Sequence, residues 1–308
     1  MPAQANLTLD EKEQLLLTAL NEAGSVIVAY SGGVDSSLLA YYACQTLGEK
    51  AKIVIAVSPS LATDELQAAR AQAEQFGWSL LEIHTDEVEK PEYQRNDAMR
   101  CYFCKSTLFE ELDRISARLG ISSVAYGANV DDLGDFRPGH KAAREHKVLS
   151  PLQSAHLLKT EIRELARRAG LPSWDRPQAA CLSSRFPTFE IVTAPALSRV
   201  DAAEKFVRSL GFQQLRVRNH TIAKGVLSAD AESAEADVLL ARLEVERSEM
   251  ARFSRDPNLF AKIDEYFRSI GYRFVTLDMG GYKQGSGNIA LSKTIPETPA
   301  ASKNNGQA

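Results

Sequence analysis

A chain of 308 residues with 44% apolar side chains can bury a sizeable core and has the length of two domains. With 36 Lys and Arg against 40 Asp and Glu, its net charge of −4 argues against a large basic footprint for nucleic acid. No apolar run approaches the ~20 residues of a membrane span, and no basic start leads into an apolar segment, so a cytoplasmic protein with no membrane contact is expected.

Leu16, Ala19, Leu20 and Ala23 mark a first amphipathic helix, with Thr8 or Asp10 to cap it and Gly24 to end it. The apolar run Val26-Ile27-Val28-Ala29-Tyr30 reads as a strand buried on both faces of a parallel sheet. Ser31-Gly32-Gly33-Val34-Asp35-Ser36 follows, and then Leu39, Tyr42, Ala43, Thr46 and Leu47 fall on one helical face. Strand, glycine turn and helix N-terminus together present free N–H groups and a positive dipole end, which is an anion cradle. The turn is neither a Walker A sequence nor a Gly-x-Gly-x-x-Gly fingerprint. SGGVDS in this setting resembles the PP-loop of ATP pyrophosphatases, which cleave ATP between the α and β phosphates. That resemblance implies that Ser31, Gly32, Gly33, Ser36 and Ser37 hold the departing pyrophosphate and that Asp35 helps hold Mg²⁺.

Further along, 53–57 reads as a strand, 63–76 as a helix, 78–83 as a strand, 100–104 as a loop, 105–119 as a helix and 123–126 as a fourth strand. Strands alternating with helices imply right-handed crossovers and a parallel sheet whose ligands lie beyond the carboxyl ends of the strands. One rim then carries 31–36, 58–60 and 127–132, with Gly127 and Asp132 as candidate nucleotide contacts. Asp131 and Asp132 suit either ribose, magnesium or loop ordering, or plain capping of the next turn. Residues 133–150 read as a loop over the nucleotide, 159–169 as a helix stopped by Gly170 and Pro172, and 177–187 as a connector. Beyond it come short elements: 188–193, a helix near 197–210, a strand at 214–218, 238–245, a helix near 257–270 and 273–277. The fold class expected is α/β, a Rossmann-like parallel sheet over 1–186 followed by a small α+β domain over 187–292. Residues 293–308 lack periodicity and are expected to be a disordered tail.

Four cysteines remain. Cys44 sits among Tyr42, Ala43 and Leu47 and reads as a core thiol. Cys101 and Cys104 form a Cys-x-x-Cys pair, and Cys181 follows far downstream in AACLSSR. Three thiolates suit a [4Fe–4S] cluster with one iron open, zinc if a fourth ligand joins them, or a redox disulfide of the close pair. His84, His140, His146, His156 and His220 show no metal-like spacing.

The resemblance becomes specific with RCYFCK at 100–105, YGANVDDLGDFRPGH at 126–140, AACLSSR at 179–185, RVRNH at 216–220, LARLEV at 240–245 and GYKQGSGN at 281–288. Together with SGGVDSS these are similar to the pyridinium-3,5-biscarboxylic acid mononucleotide sulfurtransferases (the LarE family), over roughly residues 10–290. The resemblance implies that ATP adenylates a pyridinium carboxylate and that sulfur then displaces AMP, giving a thiocarboxylate for the nickel-pincer nucleotide of lactate racemase. Relatives with a lone cysteine at the place of Cys181 give up its sulfur and keep dehydroalanine. Those with three cysteines are similar to cluster-dependent thiolases, and Cys101, Cys104 and Cys181 match that pattern. It also implies a small-molecule pyridinium substrate held by Ser184, Arg185, Glu204, Arg216 and Arg218, and a trimer-based or hexameric homo-oligomer. Arg216 and Arg218 stand two apart on a strand and so share a face, and planar guanidinium groups suit phosphate or carboxylate. Two departures are visible: 221–239 is longer and more acidic than the family pattern, and Phe186-Pro187-Thr188-Phe189 lacks a Tyr-Gly. The rivals are a tRNA thiolase, which needs a basic surface absent here, an amide-forming pyrophosphatase such as NAD synthetase, and a nucleotide-binding sensor without turnover.

Overall fold

The computed structural model describes residues 7–134, 138–177, 180–222 and 238–283. The expected tail at 293–308 and most of the acidic 221–239 segment lie outside the described residues. Elements run in the order α1 (Leu9–Ala23), β1 (Val26–Tyr30), α2 (Val34–Leu47), β2 (Ala51–Val57), α3 (Thr63–Gln75), β3 (Leu80–His84), α4 (Pro91–Gln94), α5 (Arg100–Leu119) and β4 (Ser123–Tyr126). They continue with α6 (Pro138–Glu145), α7 (Pro151–Ser154), α8 (Lys159–Arg168), α9 (Ala194–Ser209), β5 (Leu215–Ile222), β6 (Val238–Val245), α10 (Ala251–Arg255), α11 (Asn258–Ser269) and β7 (Phe274–Leu277). Among the described residues no helix is long and apolar enough to cross a membrane.

The first sheet is parallel, in the order β3-β2-β1-β4, with Val28 opposite both Ile53 and Ala125. Every residue of β1 is buried. Alternation divides its side chains: Val26, Val28 and Tyr30 pack with Leu16, Leu38 and Leu165 on one face, and Ile27 and Ala29 with Phe109, Leu112 and Ala142 on the other. This explains why the segment reads as a continuous apolar run. The α1 start is fixed by a capping box, in which Thr8 Oγ1 accepts from Glu11 N at 3.3 Å and Glu11 Oε2 from Thr8 N at 2.7 Å. The second sheet is mixed, β5-β6-β7, with β5 and β6 antiparallel and β6 and β7 parallel, and it is covered by α9 and α11 through Val207, Ile263 and Phe267. The protein is thus a Rossmann-like α/β sheet followed by a smaller mixed-sheet unit. A separate apolar cluster, including Tyr93, Leu182, Phe186 and Leu197, lies between them.

Three local expectations are corrected. Residues 100–104 are the first turn of α5 rather than a loop, because Asp97 Oδ1 accepts from Met99 N at 2.7 Å and the Met99 carbonyl from Tyr102 N at 2.9 Å, starting the helix one turn early. The 133–150 stretch holds α6, whose Ala142 and Ala143 pack on Phe109. Residues 188–193 form neither helix nor strand. Their backbone is bound instead to the α4 region, Phe189 N to Asn96 O and Val192 N to Gln94 O, each at 3.0 Å.

Two stretches of backbone meet closely at Gly127, just past β4. A Cβ there would lie 2.8 Å from Ser36 N and 3.0 Å from the Asp35 carbonyl carbon. Gly127→Ala is therefore expected to push the first turn of α2 away, costing about 1–3 kcal/mol. Urea unfolding with and without ATP checks this, and the loss should be larger in the presence of the nucleotide.

Candidate active site

The turn after β1 is shaped by Gly32, whose φ of +75° falls in the left-handed region and whose Cβ would meet Ala69 Cβ at 3.2 Å. Gly33 is the N-cap of α2 and no side chain caps the helix. The first intrahelical bond is Ser37 N to Gly33 O at 2.9 Å, so the amides of Val34, Asp35 and Ser36 have no partner within the helix. Ser36 ties the turn together: its Oγ accepts from Ser31 N at 3.1 Å and donates to Gly33 O at 3.1 Å. Ser31, Gly32, Gly33, Asp35, Ser36 and Gly127 line a cavity of about 360 Å³. Ser37 is fully buried and does not line it.

Asp35 accepts from Asn129 Nδ2 at 3.3 Å and forms an ion pair with Lys159 Nζ. The acidic pair downstream is used by the loop. Asp132 Oδ2 accepts from Asn129 N at 3.0 Å and Asp131 Oδ2 from Lys159 N at 2.7 Å. Neither aspartate lines the cavity.

A second cavity of about 250 Å³ adjoins the first and is lined by Arg176, Arg185, Arg208 and Arg216 with Asp64 and Tyr282. Ala62, Glu65, Arg176, Pro177 and Ala180 belong to both cavities and form their common wall. Glu204, fully buried on α9, holds the arginines. Its Oε1 accepts from Arg185 Nε at 2.9 Å and Val217 N at 3.0 Å, and its Oε2 from Arg185 Nη2 and Arg208 Nη2 at 3.0 Å. Burial opposes ionisation of Glu204, but the Arg185 charge and hydrogen bonds outweigh it and hold the carboxyl below its ordinary value. Arg216 lies over the Tyr282 ring at 5.0 Å and donates to Leu215 O at 2.7 Å. Burial, and then the neighbouring Arg185, push its guanidinium down, so an anion in the cavity would relieve both. Arg218 shares the strand face with Arg216 but is spent within the protein, paired with Glu244 at 3.0 Å and donating to Ser184 O at 2.7 Å. Ser184 Oγ in turn accepts from Arg185 Nη1 at 3.0 Å.

Cys101 and Cys104 stand one turn apart at the start of α5, Cys101 exposed and Cys104 half-buried, while Cys181 is exposed at the head of a 3₁₀ turn, Leu182–Arg185. Cys104 and Cys181 line the nucleotide cavity and Cys101 does not. Burial, and next the Glu87 carboxylate, push the Cys104 thiol up to about 12, and the charges of Cys181 and Cys101 act in the same direction. Among the described residues no three His, Cys, Asp or Glu side chains lie close enough, as placed, to hold a metal ion. Arg100, donating to Ser183 O at 2.9 Å, nonetheless ties the Cys181 turn to the head of α5, so the three thiols stand on two joined elements. That donor set, sulfur only and three in number, suits an iron–sulfur cluster with one iron unligated by protein. Cys44 is half-buried against the main core, where burial raises its thiol to about 11.

Of the site residues expected from the sequence, Ser31, Gly32, Gly33, Asp35, Ser36, Gly127, Cys104 and Cys181 line one cavity and Arg185 and Arg216 its neighbour. Sequence reasoning missed Lys159, Arg163, Arg176, Arg208 and Glu87, which line these cavities from helices and loops without motif character.

Residues 10–105 match the NAD synthase family. Over 285 residues the chain is 39% identical to an uncharacterised protein of Synechocystis sp., covering 92% of this chain and 100% of that one. It is 32% identical over 287 residues to the pyridinium-3,5-bisthiocarboxylic acid mononucleotide synthase of Lactiplantibacillus plantarum, 93% of this chain and 97% of that enzyme. The chain belongs to this synthase family. It is accordingly an ATP-dependent sulfurtransferase of the PP-loop ATP pyrophosphatases. A more distant likeness, 25% over 182 residues, joins it to the glutamine-hydrolysing GMP synthase of Chlamydia caviae, covering 52% of this chain and 34% of that one.

The electrostatics of Glu204 give a direct test. A carboxyl with a depressed pKa in the folded state stabilises above its unfolded value, near 4.5, and the contribution is lost as pH falls through the folded pKa. Glu204→Gln is expected to cost about 3–5 kcal/mol at pH 7, because Arg185 is left buried without its counter-charge. The difference from the parent, read by urea unfolding, should shrink below pH 4.

Proposed function

We propose that the enzyme uses ATP and Mg²⁺ to adenylate a carboxylate of pyridinium-3,5-biscarboxylic acid mononucleotide and then replaces AMP with sulfur, giving the thiocarboxylate needed for nickel-pincer nucleotide synthesis. The observation that carries this reading is the common wall of the two cavities, with an amide cradle on one side, four arginines on the other and Cys181 beside it. A carboxylate is a poor electrophile. Attack of its oxygen on the α-phosphorus forms a mixed anhydride, and pyrophosphate leaves with the bonding electrons toward Ser31, Gly32, Gly33 and Ser36 at the head of α2.

Asp35 would hold Mg²⁺, which would neutralise the leaving pyrophosphate, and Lys159, its ion-pair partner, places an ammonium beside the same cradle. Ser37 and Asp132 act from behind, as supports of the turn and of the 129–132 loop. Arg185 and Arg216 bind the substrate phosphate and free carboxylate, while Glu204, Arg218 and Ser184 keep them in place. Cys101, Cys104 and Cys181 would hold a [4Fe–4S] cluster, which supplies a soft sulfur nucleophile when bound.

A second reading, sacrificial donation by Cys181, draws on the exposed thiol lining the cavity by itself. Its sulfur would attack the anhydride to give a thioester, and elimination across Cα–Cβ would release the thiocarboxylate and leave dehydroalanine. A tRNA thiolase is disfavoured by the net charge of −4.

Asp35→Ala is expected to lower substrate-dependent pyrophosphate release by at least about 10²-fold. Cys101→Ala should keep AMP formation and stop at one turnover or fewer, and many turnovers by that variant would remove the cluster. Iron and sulfide analysis with a visible spectrum after anaerobic purification separates the two sulfur sources, as does a mass loss of one H₂S at Cys181.

A further inference from the structure

Joining a carboxylate to the α-phosphorus of ATP brings two anions together, and the repulsion is greatest where they meet. Given the proposed function, that meeting point is the wall shared by the two cavities. The cations of the nucleotide cavity other than Arg176 are Lys105, Lys159 and Arg163, and none of them lines the second cavity. Arg185, Arg208 and Arg216 line the second cavity and not the first. Among the described residues Arg176 is the one cation common to both.

Its backbone is clamped within the chain, and its side chain is held by one acidic partner. Arg163, on α8, donates to Trp174 O at 2.6 Å and to Arg176 O at 2.9 Å, clamping the chain on either side of Asp175. The Arg176 guanidinium, a third exposed, makes an ion pair with Glu65 through Nη2 at 2.9 Å. Glu65 lies in the first turn of α3 and is itself part of the wall. The two side chains are 33% and 28% exposed, so the pair is only partly desolvated and an incoming phosphate can compete for the guanidinium. The pair thus holds a cation in reserve at the junction and screens the Glu65 charge from the entering anions.

We infer that Arg176 is a catalytic residue of the adenylation step, exchanging Glu65 for the non-bridging oxygens of the α-phosphate as the carboxylate attacks. The step balances without any redox partner: a carboxylate oxygen forms the bond to Pα, the bond from Pα to the β-bridging oxygen breaks, and pyrophosphate carries away the electron pair. Arg176 transfers no proton. It offsets the charge that builds on the equatorial oxygens, and its planar fork spans phosphate and carboxylate together.

The test is exchange of labelled pyrophosphate into ATP, dependent on pyridinium-3,5-biscarboxylic acid mononucleotide, which reports adenylation without any sulfur source. ATP affinity is measured alongside by calorimetry. Arg176→Met is expected to lower the exchange rate at saturating substrates by about 10²-fold or more while ATP affinity changes less than about threefold. Arg176→Lys should recover part of the rate, since it restores the charge and not the fork. Exchange by Arg176→Met within about threefold of the parent overturns the inference, as does a loss of rate matched by an equal loss of ATP affinity in both variants. Absence of exchange in the parent protein would instead remove the proposed function beneath it.

Discussion

The active site rests on a contact between two stretches of backbone. The turn at Gly127 lies against the first turn of α2, so close that a single methyl group would overlap Ser36 N. The contact follows from the sheet. β1 and β4 are parallel neighbours in the register Val28↔Ala125 and Ala29↔Tyr126, so both chains leave the sheet at the same level. One turns through Gly32 and Gly33 into α2, and the other passes over its end. The amides of α2 are thereby held in a fixed frame, and Asn129, two residues past Gly127, reaches Asp35 at 3.3 Å. A cradle for pyrophosphate needs such rigidity, because amides that must reorganise during reaction stabilise little developing charge.

The second element of the site depends on charge rather than shape. Glu204 is fully buried and receives four hydrogen bonds, from Arg185, Arg208 and the backbone of Val217. A buried carboxylate is costly alone, and two guanidinium groups are costly together. Here four arginines line the cavity, and Glu204 from behind and Asp64 and Glu65 from the wall offset their charge in part. The arginines come from separate places: the turn after Cys181, α9, β5 and the strap before Pro177. The turn after Cys181 is bound to both units, through Leu182 N to Ser60 O at 2.9 Å, Tyr93 Oη to Ser183 Oγ at 2.5 Å and Arg218 to Ser184 O at 2.7 Å. Cys181 and Arg185 thus stand on one short segment.

Where the sequence was legible, one local pattern carried a single meaning. The run Val26–Tyr30 has no alternative to a doubly covered strand, and SGGVDS behind it has few alternatives to an anion turn. The strand–helix alternation up to Tyr126 was equally readable. Cys-x-x-Cys was harder. Tyr102 and Phe103 carry no helical periodicity, and Asp97 starts the helix by a side-chain bond that the sequence pattern conceals. The 188–193 stretch reads as a short element but finds its backbone partners at Gln94 and Asn96, more than ninety residues away.

The sequence by itself determined the parallel sheet, the glycine turn and the Cys-x-x-Cys pair, because each is written in contiguous residues whose spacing reflects local geometry, and its family resemblance implied the reaction class. Only the tertiary structure decided how the arginines divide. Arg216 faces a cavity while Arg218, on the same strand face, is consumed by Glu244. Lys159 and Arg176 entered the site in the same way, brought in by long-range packing from segments with no motif of their own. Charge compensation is a sum over neighbours in space, and a linear pattern does not contain that sum.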